Sequence, residues 1–523
     1  MKKIVFSTIL LSVSTFLMAQ ENATGYIYED QNGNGKKDRR EKGIEGVAVS
    51  NGVQVVLSND RGQYELPVGE DQIIFVIKPS EYQIPLDEHN LARFYYNHKP
   101  AGSPKLTFPG VQATGDLPKS IDFALIPGES KDSFTSLIFG DPQPYNLEEL
   151  QFFADGVVSE VEGIQGIAFG LSLGDLVWDD LALFPPYIKA VSKVGLPWYN
   201  VLGNHDLNFD VEEDILSDET FESYFGPSTY AFNQGKVHFI VLNDVRYPDP
   251  RDGEGYWGGF RESELEFVKN SLVHVPKDHL IVLAMHIPLS EPGEGDTFKD
   301  EDRDKLFEIL GDFPHTLSLS AHTHLQRQDF FYEKDGWKHA KPHHHYNVGT
   351  TSGDWHKGIL NEKGIPVSTM RDGTPKGYAF IDFDGNQYNI RYKVVDQGED
   401  YQMEIFAPKV VKKDQNTSAG IYVNFFMGAS GDEVKVRVDN GEWKKMNFLD
   451  DYDPNYLVDL FQWDTSDKLL EGRRPSNPQK STHLWRAQIP TNLEPGNHQI
   501  EVEATDFLGN KFTATETYLI MQE

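Results

Sequence analysis

The chain has 523 residues, with 81 acidic against 48 basic side chains, a net charge of −33 and no cysteine. That charge repels phosphate backbones and excludes a sequence-reading nucleic-acid binder. The missing cysteines exclude disulfide stapling, thiolate metal sites, cysteine nucleophiles and a lipidated N-terminal cysteine. An enzyme acting on phosphate esters is not excluded, because bound cations reverse the local field. The length exceeds what one core organises and points to about three domains.

The first element is MKKIVFSTILLSVSTFLMAQ, in which Lys2 and Lys3 precede an apolar run that ends at Ala19. It reads as a signal peptide over 1–19, which implies an exported bacterial protein: periplasmic, at the cell surface or secreted. No later stretch is long and apolar enough to cross a bilayer, so the mature chain is expected to have no transmembrane segment. From 22 to 128 short β-rich runs such as TGYIYED, QVVLSNDRGQYELPV and QIIFVIKP alternate with Gly, Asn and Asp turns and predict a small β-sandwich. Inside it, DQNGNGKKDRRE fits the pattern of a calcium loop. Asp30, Asn32, Asn34, Asp38 and Glu41 are its oxygen donors, Lys36 offers its carbonyl and Gly35 makes the sharp turn. A solvated Asn/Gly turn is the alternative.

From about 132 to 400 the rhythm changes. Apolar strands (SLIFG, IAFGLSLG, WYNVLG, HFIVLN, HLIVLAM, TLSLSA) alternate with helical periods (LEELQFFADGVVSEV, SELEFVKNSLVHV, DRDKLFEIL), which predicts an α/β domain. Beyond 401 the helical period vanishes, and DEVKVRVDNGEWKKM and HQIEVEATDFLGNKFTATETYLI alternate with period two around DNG and GN turns. That segment, 401–523, predicts an Ig-like β-sandwich.

The ends of the middle apolar runs carry the chemistry. They finish in Asp141 and Gln143, in Gly174-Asp175, in Gly203-Asn204-His205-Asp206, in His286 and in His322 with His324. Open α/β sheets bind ligands at the carboxyl ends of their strands, so these metal-ligand residue types should converge in one crevice. Residues two apart on a strand face one side, which lets Asp141 and Gln143 reach one ion and turns His205 away from Asn204. His343 to His345, Asp354, Trp355 and His356 follow the last of these strands. His345 and Trp355, with Tyr145 and Trp178 close after earlier blocks, are candidates for the substrate pocket.

The ordered blocks D-x-Q, G-D, G-N-H-D, H and H-x-H resemble those of the calcineurin-like metallophosphoesterases, and FGPSTYAF with MRDGTPKGY resembles a bacterial exported subgroup with β domains at both ends. The resemblance implies a central β-sandwich flanked by helices, α/β/β/α-like, and two divalent ions. One would be held by Asp141, Gln143, Asp175 and His324, and the other by Asp175 as bridge, Asn204, His286 and His322. It implies attack by metal-bound hydroxide on a phosphodiester or phosphomonoester, with His205 as general acid oriented by Asp179 or Asp206. The expected substrate is a small-molecule or glycan- or lipid-linked phosphate ester. Gln143 stands where the family most often has His and Ala321 where it has Gly. A neutral oxygen donor in place of imidazole favours Mn²⁺, ahead of Mg²⁺, Fe or Zn²⁺. Gln at this place also suggests an alternative, hydrolysis of a nucleotide-type pyrophosphate; the rival from another class is a noncatalytic surface binding protein on an inherited fold.

Overall fold

A computed structural model describes residues 21–290 and 296–522; the expected signal peptide lies outside them. No helix among the described residues is long and apolar enough to cross a membrane.

The central portion is built from two facing sheets. The first orders its strands Trp198–Asn200, Phe169–Ser172, Ser133–Phe139, Gly377–Asp384 and Gln387–Val394, and its first three run parallel. The second runs Tyr230–Gln234, Val237–Val241, Leu280–Ala284, Thr316–Ser320, His343–Asn347 and Arg327–Phe331, with a parallel core of four. Phe169 packs edge-on against Phe232 and Phe239 at 5.3 and 5.2 Å, and Phe239 meets Phe383 at 5.6 Å, so aromatic rings fill the space between the sheets. Helices Leu147–Gly156 and Phe184–Val191 follow strands of the first sheet; Glu262–Leu272 and Asp300–Ile309 follow strands of the second. The first of these begins at Asn146, whose side chain accepts the backbone N–H groups of Glu148 and Glu149.

Before this portion, two four-stranded sheets occupy residues 21–127 and form a sandwich. It docks through Phe75 on Phe267 (5.6 Å) and Phe94 on Tyr230 (5.1 Å). After it, sheets of four and five strands between Met403 and Met521 form the second sandwich. This last unit contains a helix, Pro454–Thr465, where strands alone were expected. Asp453 caps it and Pro454 opens it, a legible start signal, but Val458 and Phe461 stay exposed, so no single buried face gives it a helical period.

The histidine run does not line a pocket. His343, His344 and His345 form a strand buried inside the second sheet, and both ring nitrogens of His345 meet hydroxyls, Ser318 at 2.6 Å and Ser320 at 2.8 Å. His345 is therefore removed from the candidate pocket: its neighbours on the adjacent strand satisfy it completely. Burial pushes His343 and His344 down to about 3 and His345 well below its ordinary value. The unfolded chain therefore binds protons that the folded chain refuses, and stability is lost as pH falls below about 6.5. By pH 5 the loss is ~2 kcal/mol per histidine. Urea midpoints should fall from pH 7 to pH 5, and His345→Gln should shrink that fall; equal midpoints at the two pH values would contradict the account.

Candidate metal centre

The residues expected at the strand ends do converge, though not by the pleat of the strands. The strand ends at Phe139, and Asp141 and Gln143 follow it with φ of 28° and 39°; Asp175, His322 and His324 likewise sit at 46°, 68° and 53°. Each chain leaves its strand through a left-handed kink, which turns alternate side chains inward. Such conformations cost non-glycine residues roughly 1–3 kcal/mol each and gather at functional sites. Other contacts hold the kinks: the Gln143 N–H donates to Asp175 O (2.9 Å), Ser352 N to Asp141 O (3.3 Å) and His356 Nε2 to Pro142 O (3.0 Å). Glycine is required where these turns meet. A Cβ on Gly203 would lie 2.0 Å from Asp175 N, and one on Gly174, itself at φ 88°, 2.5 Å from His286 Nδ1.

Asp175 stands in the middle of the cluster. Its Oδ2 accepts from Gln143 Nε2 (2.7 Å), and its Oδ1 lies 3.2 Å from His286 Nε2 and accepts the His205 N–H at 2.9 Å. On one side are Asn204 Oδ1, 3.0 Å from His286 Nε2, and His322 Nδ1, 3.2 Å from the same atom. Ligand atoms of Asp175, His286 and His322 all lie within 4.8 Å of one another. On the other side His324 Nε2 faces Asp141 Oδ2 at 3.3 Å.

The donor chemistry fits divalent cations. His286 and His324 each donate Nδ1–H to a carbonyl, Leu173 at 2.8 Å and Gly353 at 2.6 Å, and so present Nε2 inward. Asp141 Oδ2, Gln143 Oε1 and His324 Nε2 are buried and have no hydrogen-bond partner. A buried polar atom without a hydrogen bond costs about 1–3 kcal/mol, and here Asp141 Oδ2 and His324 Nε2 meet only each other, at 3.3 Å, so the three mark a site shaped for a ligand. Burial pushes Asp141 up to about 7; burial opposes charge on His286 too, but Asp175 and Asp141 outweigh it and hold the imidazole up at about 10.

The His205 ring is engaged by Asp179 and Trp178. Its Nδ1 meets Asp179 Oδ1 at 2.6 Å and its ring stacks on Trp178 at 4.3 Å. Burial works against its protonation, but Asp175 and Asp179 raise its pKa overall. Of the two candidate orienting carboxylates, only Asp179 meets the ring. Asp206 is fully buried and accepts the backbone N–H groups of Leu176, Val177 and Gly203, so it braces the turns around Asp175. Tyr145, largely exposed, meets Trp178 at 6.0 Å, and Trp355 stacks on His324 at 4.1 Å, which places these three aromatics around the crevice.

Sequence reasoning passed over Asp244, whose carboxylate accepts the N–H groups of His286 (3.1 Å) and Ile287 (2.9 Å) and fixes that loop. The signal was present, since VLND is another apolar run ending on a carboxylate. Arg371, inside MRDGTPKGY, and Lys357 were passed over, because a cation's place in a string does not tell which ring it will face; both lie close to Trp355. In the 30–41 loop, Asp30 accepts from the N–H groups of Gly33, Asn34 and Gly35, Glu41 from those of Gln31 and Asp38, and the Asn32 and Asn34 amides donate to Asp38. Lys36 N donates to Asn34 Oδ1.

The crevice gathers carboxylate, carboxamide and imidazole donors of the kind that hold divalent cations. Family models agree along the chain. Residues 134–326 match the calcineurin-like phosphoesterase model, 31–109 the N terminal of calcineurin-like phosphoesterase and 345–512 its C terminal. The chain belongs to the calcineurin-like phosphoesterases and is a metal-dependent phosphoester hydrolase. No curated protein matches it. Among solved structures it is similar to a purple acid phosphatase from yellow lupin (Lupinus luteus) seeds, at 12% identity and a TM-score of 0.38, over 72% of this chain and 67% of that one.

Proposed function

We propose that the protein is an exported phosphohydrolase whose crevice holds two divalent ions. Asp141, Gln143, Asp175 and His324 hold one; Asp175, Asn204, His286 and His322 hold the other. Two ions so placed supply an activated water at neutral pH and positive charge for the phosphoryl oxygens. His205 donates the proton to the departing oxygen, and Asp179 keeps its ring oriented and charged. The observation that carries the reading is the trio of buried atoms without a hydrogen bond, Asp141 Oδ2, Gln143 Oε1 and His324 Nε2, beside a carboxylate that touches both halves of the cluster. Export is supported by Lys2 and Lys3 ahead of the apolar run to Ala19.

Metal analysis of the mature protein should give about two equivalents of transition metal. Bis(p-nitrophenyl) phosphate or the monoester should be hydrolysed with Mn²⁺. No hydrolysis of either ester would remove the reading for simple esters, and a stoichiometry of one would remove the two-ion site. Gln143 supports manganese, since its amide nitrogen is spent on Asp175 and only its oxygen is free. Gln143→His replaces that hard donor and should shift relative affinity from Mn²⁺ toward Zn²⁺ by tenfold or so. Unchanged selectivity in competitive metal titrations would refute the assignment of manganese.

A further inference from the structure

Beside the His324 edge of the crevice, two cations gather on one aromatic ring. The Arg371 guanidinium lies 5.1 Å and the Lys357 ammonium 5.0 Å from the Trp355 ring centre, and Trp355 itself stacks on His324. Neither cation has a carboxylate within 4.0 Å among the described residues. Arg261 meets Asp214 (2.8 Å), Arg327 meets Asp329 (2.7 Å) and Lys99 meets Asp71 (3.0 Å), whereas the buried Lys78 and Lys376 also meet only neutral oxygens. Arg371 Nη2 donates to Thr323 O at 3.0 Å, between His322 and His324, its Nη1 and Nη2 face the Gln479 amide oxygen at 2.9 and 3.2 Å, and all of these partners are neutral. Lys357 Nζ donates to Ser476 Oγ (2.6 Å), a neutral partner.

The arrangement is built rather than incidental. Segment 472–479 of the last unit supports it: Arg473 donates to Trp355 O (2.7 Å) and pairs with Glu149 (2.7 Å), Ser476 N donates to Asp354 (2.6 Å) and Gln479 N to Arg371 O (2.9 Å). In a chain of net charge −33 a multiply anionic substrate is repelled at long range, and only local positive charge can admit it.

We propose that Arg371 and Lys357, arrayed on Trp355, form an anion subsite that takes a second, uncleaved phosphate of the substrate. Two cations on one ring match the roughly −2 charge of a terminal phosphate, and a guanidinium and an ammonium suit its oxygens. The substrate class is then a phosphate ester that carries a further phosphate group. This rests on the phosphohydrolase reading above.

The test compares thymidine 5′-(p-nitrophenyl phosphate) with its 3′-phosphorylated derivative, which share scissile bond and leaving group. The wild type should favour the phosphorylated ester by tenfold or more in kcat/KM. In the Lys357→Gln, Arg371→Gln double variant that ratio should fall toward one, with Arg371→Lys retaining part of it. No preference in the wild type, or an unchanged ratio in the double variant, overturns the subsite. If the wild type cleaves neither ester, the phosphohydrolase reading falls for such esters and the subsite is judged by calorimetry. Metal-free protein should bind thymidine 3′,5′-bisphosphate at least tenfold more tightly than the double variant does. Equal affinity, or no binding to the wild type, overturns it.

Discussion

Asp175→Asn should bring metal binding below two equivalents and lower kcat/KM on a simple phosphate ester by roughly 10³-fold or more. That figure corresponds to the several kcal/mol of charge stabilisation that an ion pair supplies. One Asp175 carboxylate oxygen takes the Gln143 amide and the other serves the His205 N–H and faces His286. Asparagine keeps the shape but loses the charge that holds both halves together and turns an N–H₂ toward one of them. Asp206→Asn is the instructive contrast. Asp206 holds three backbone N–H groups and no ring, so its loss should lower stability, read as a drop in Tm, before it changes metal stoichiometry. Full metal loading with unimpaired turnover in Asp175→Asn would contradict the bridging role.

His205→Ala should lower kcat by about 10²–10⁴-fold on esters of poor leaving groups, the range a positioned proton donor contributes. With p-nitrophenyl esters the loss should be far smaller, because p-nitrophenolate departs without a proton. A defect that grows with leaving-group pKa therefore separates proton donation from simple binding, which would lower all esters alike. Asp179→Asn should show the same slope more weakly, since Asp179 lies on the far nitrogen and acts by orienting the ring and favouring its charge. A flat dependence on leaving group in His205→Ala would remove the general-acid role.

Much of the crevice was legible because apolar runs that stop on metal-ligand residue types are a pattern of residue identity. How they converge was not legible. Strand pleat brings Asp141 with Gln143 and His322 with His324 to one side only if they continue their strands, whereas each lies past a strand end in left-handed backbone. Only glycine advertises such a conformation in a sequence, and none of these residues is glycine. The choice between Asp179 and Asp206 likewise depends on the fold, since both lie close to His205 along the chain or across the turn. His345 misled for a different reason. A run of imidazoles reads as polar, yet Ser318 and Ser320 on the neighbouring strand make it a buried hydrogen-bonded ladder. The two flanking sandwiches were visible in their period-two alternation, and the helix at Pro454–Thr465 was hidden because its apolar residues face both ways.

The grip of residues 472–479 on the crevice has a consequence for inheritance. Ordinarily a terminal sandwich is interchangeable cargo, free to be exchanged by recombination at the linker before it. Here the strand pairing of Gly358 with Arg473 and the bonds from Arg473, Ser476 and Gln479 reach back across that junction. A chimera joined near residue 400 would keep the strand-end ligands but lose the scaffold beneath Trp355, Lys357 and Arg371. The last quarter of the chain is thus bound to descend together with the site it braces, as one unit of selection.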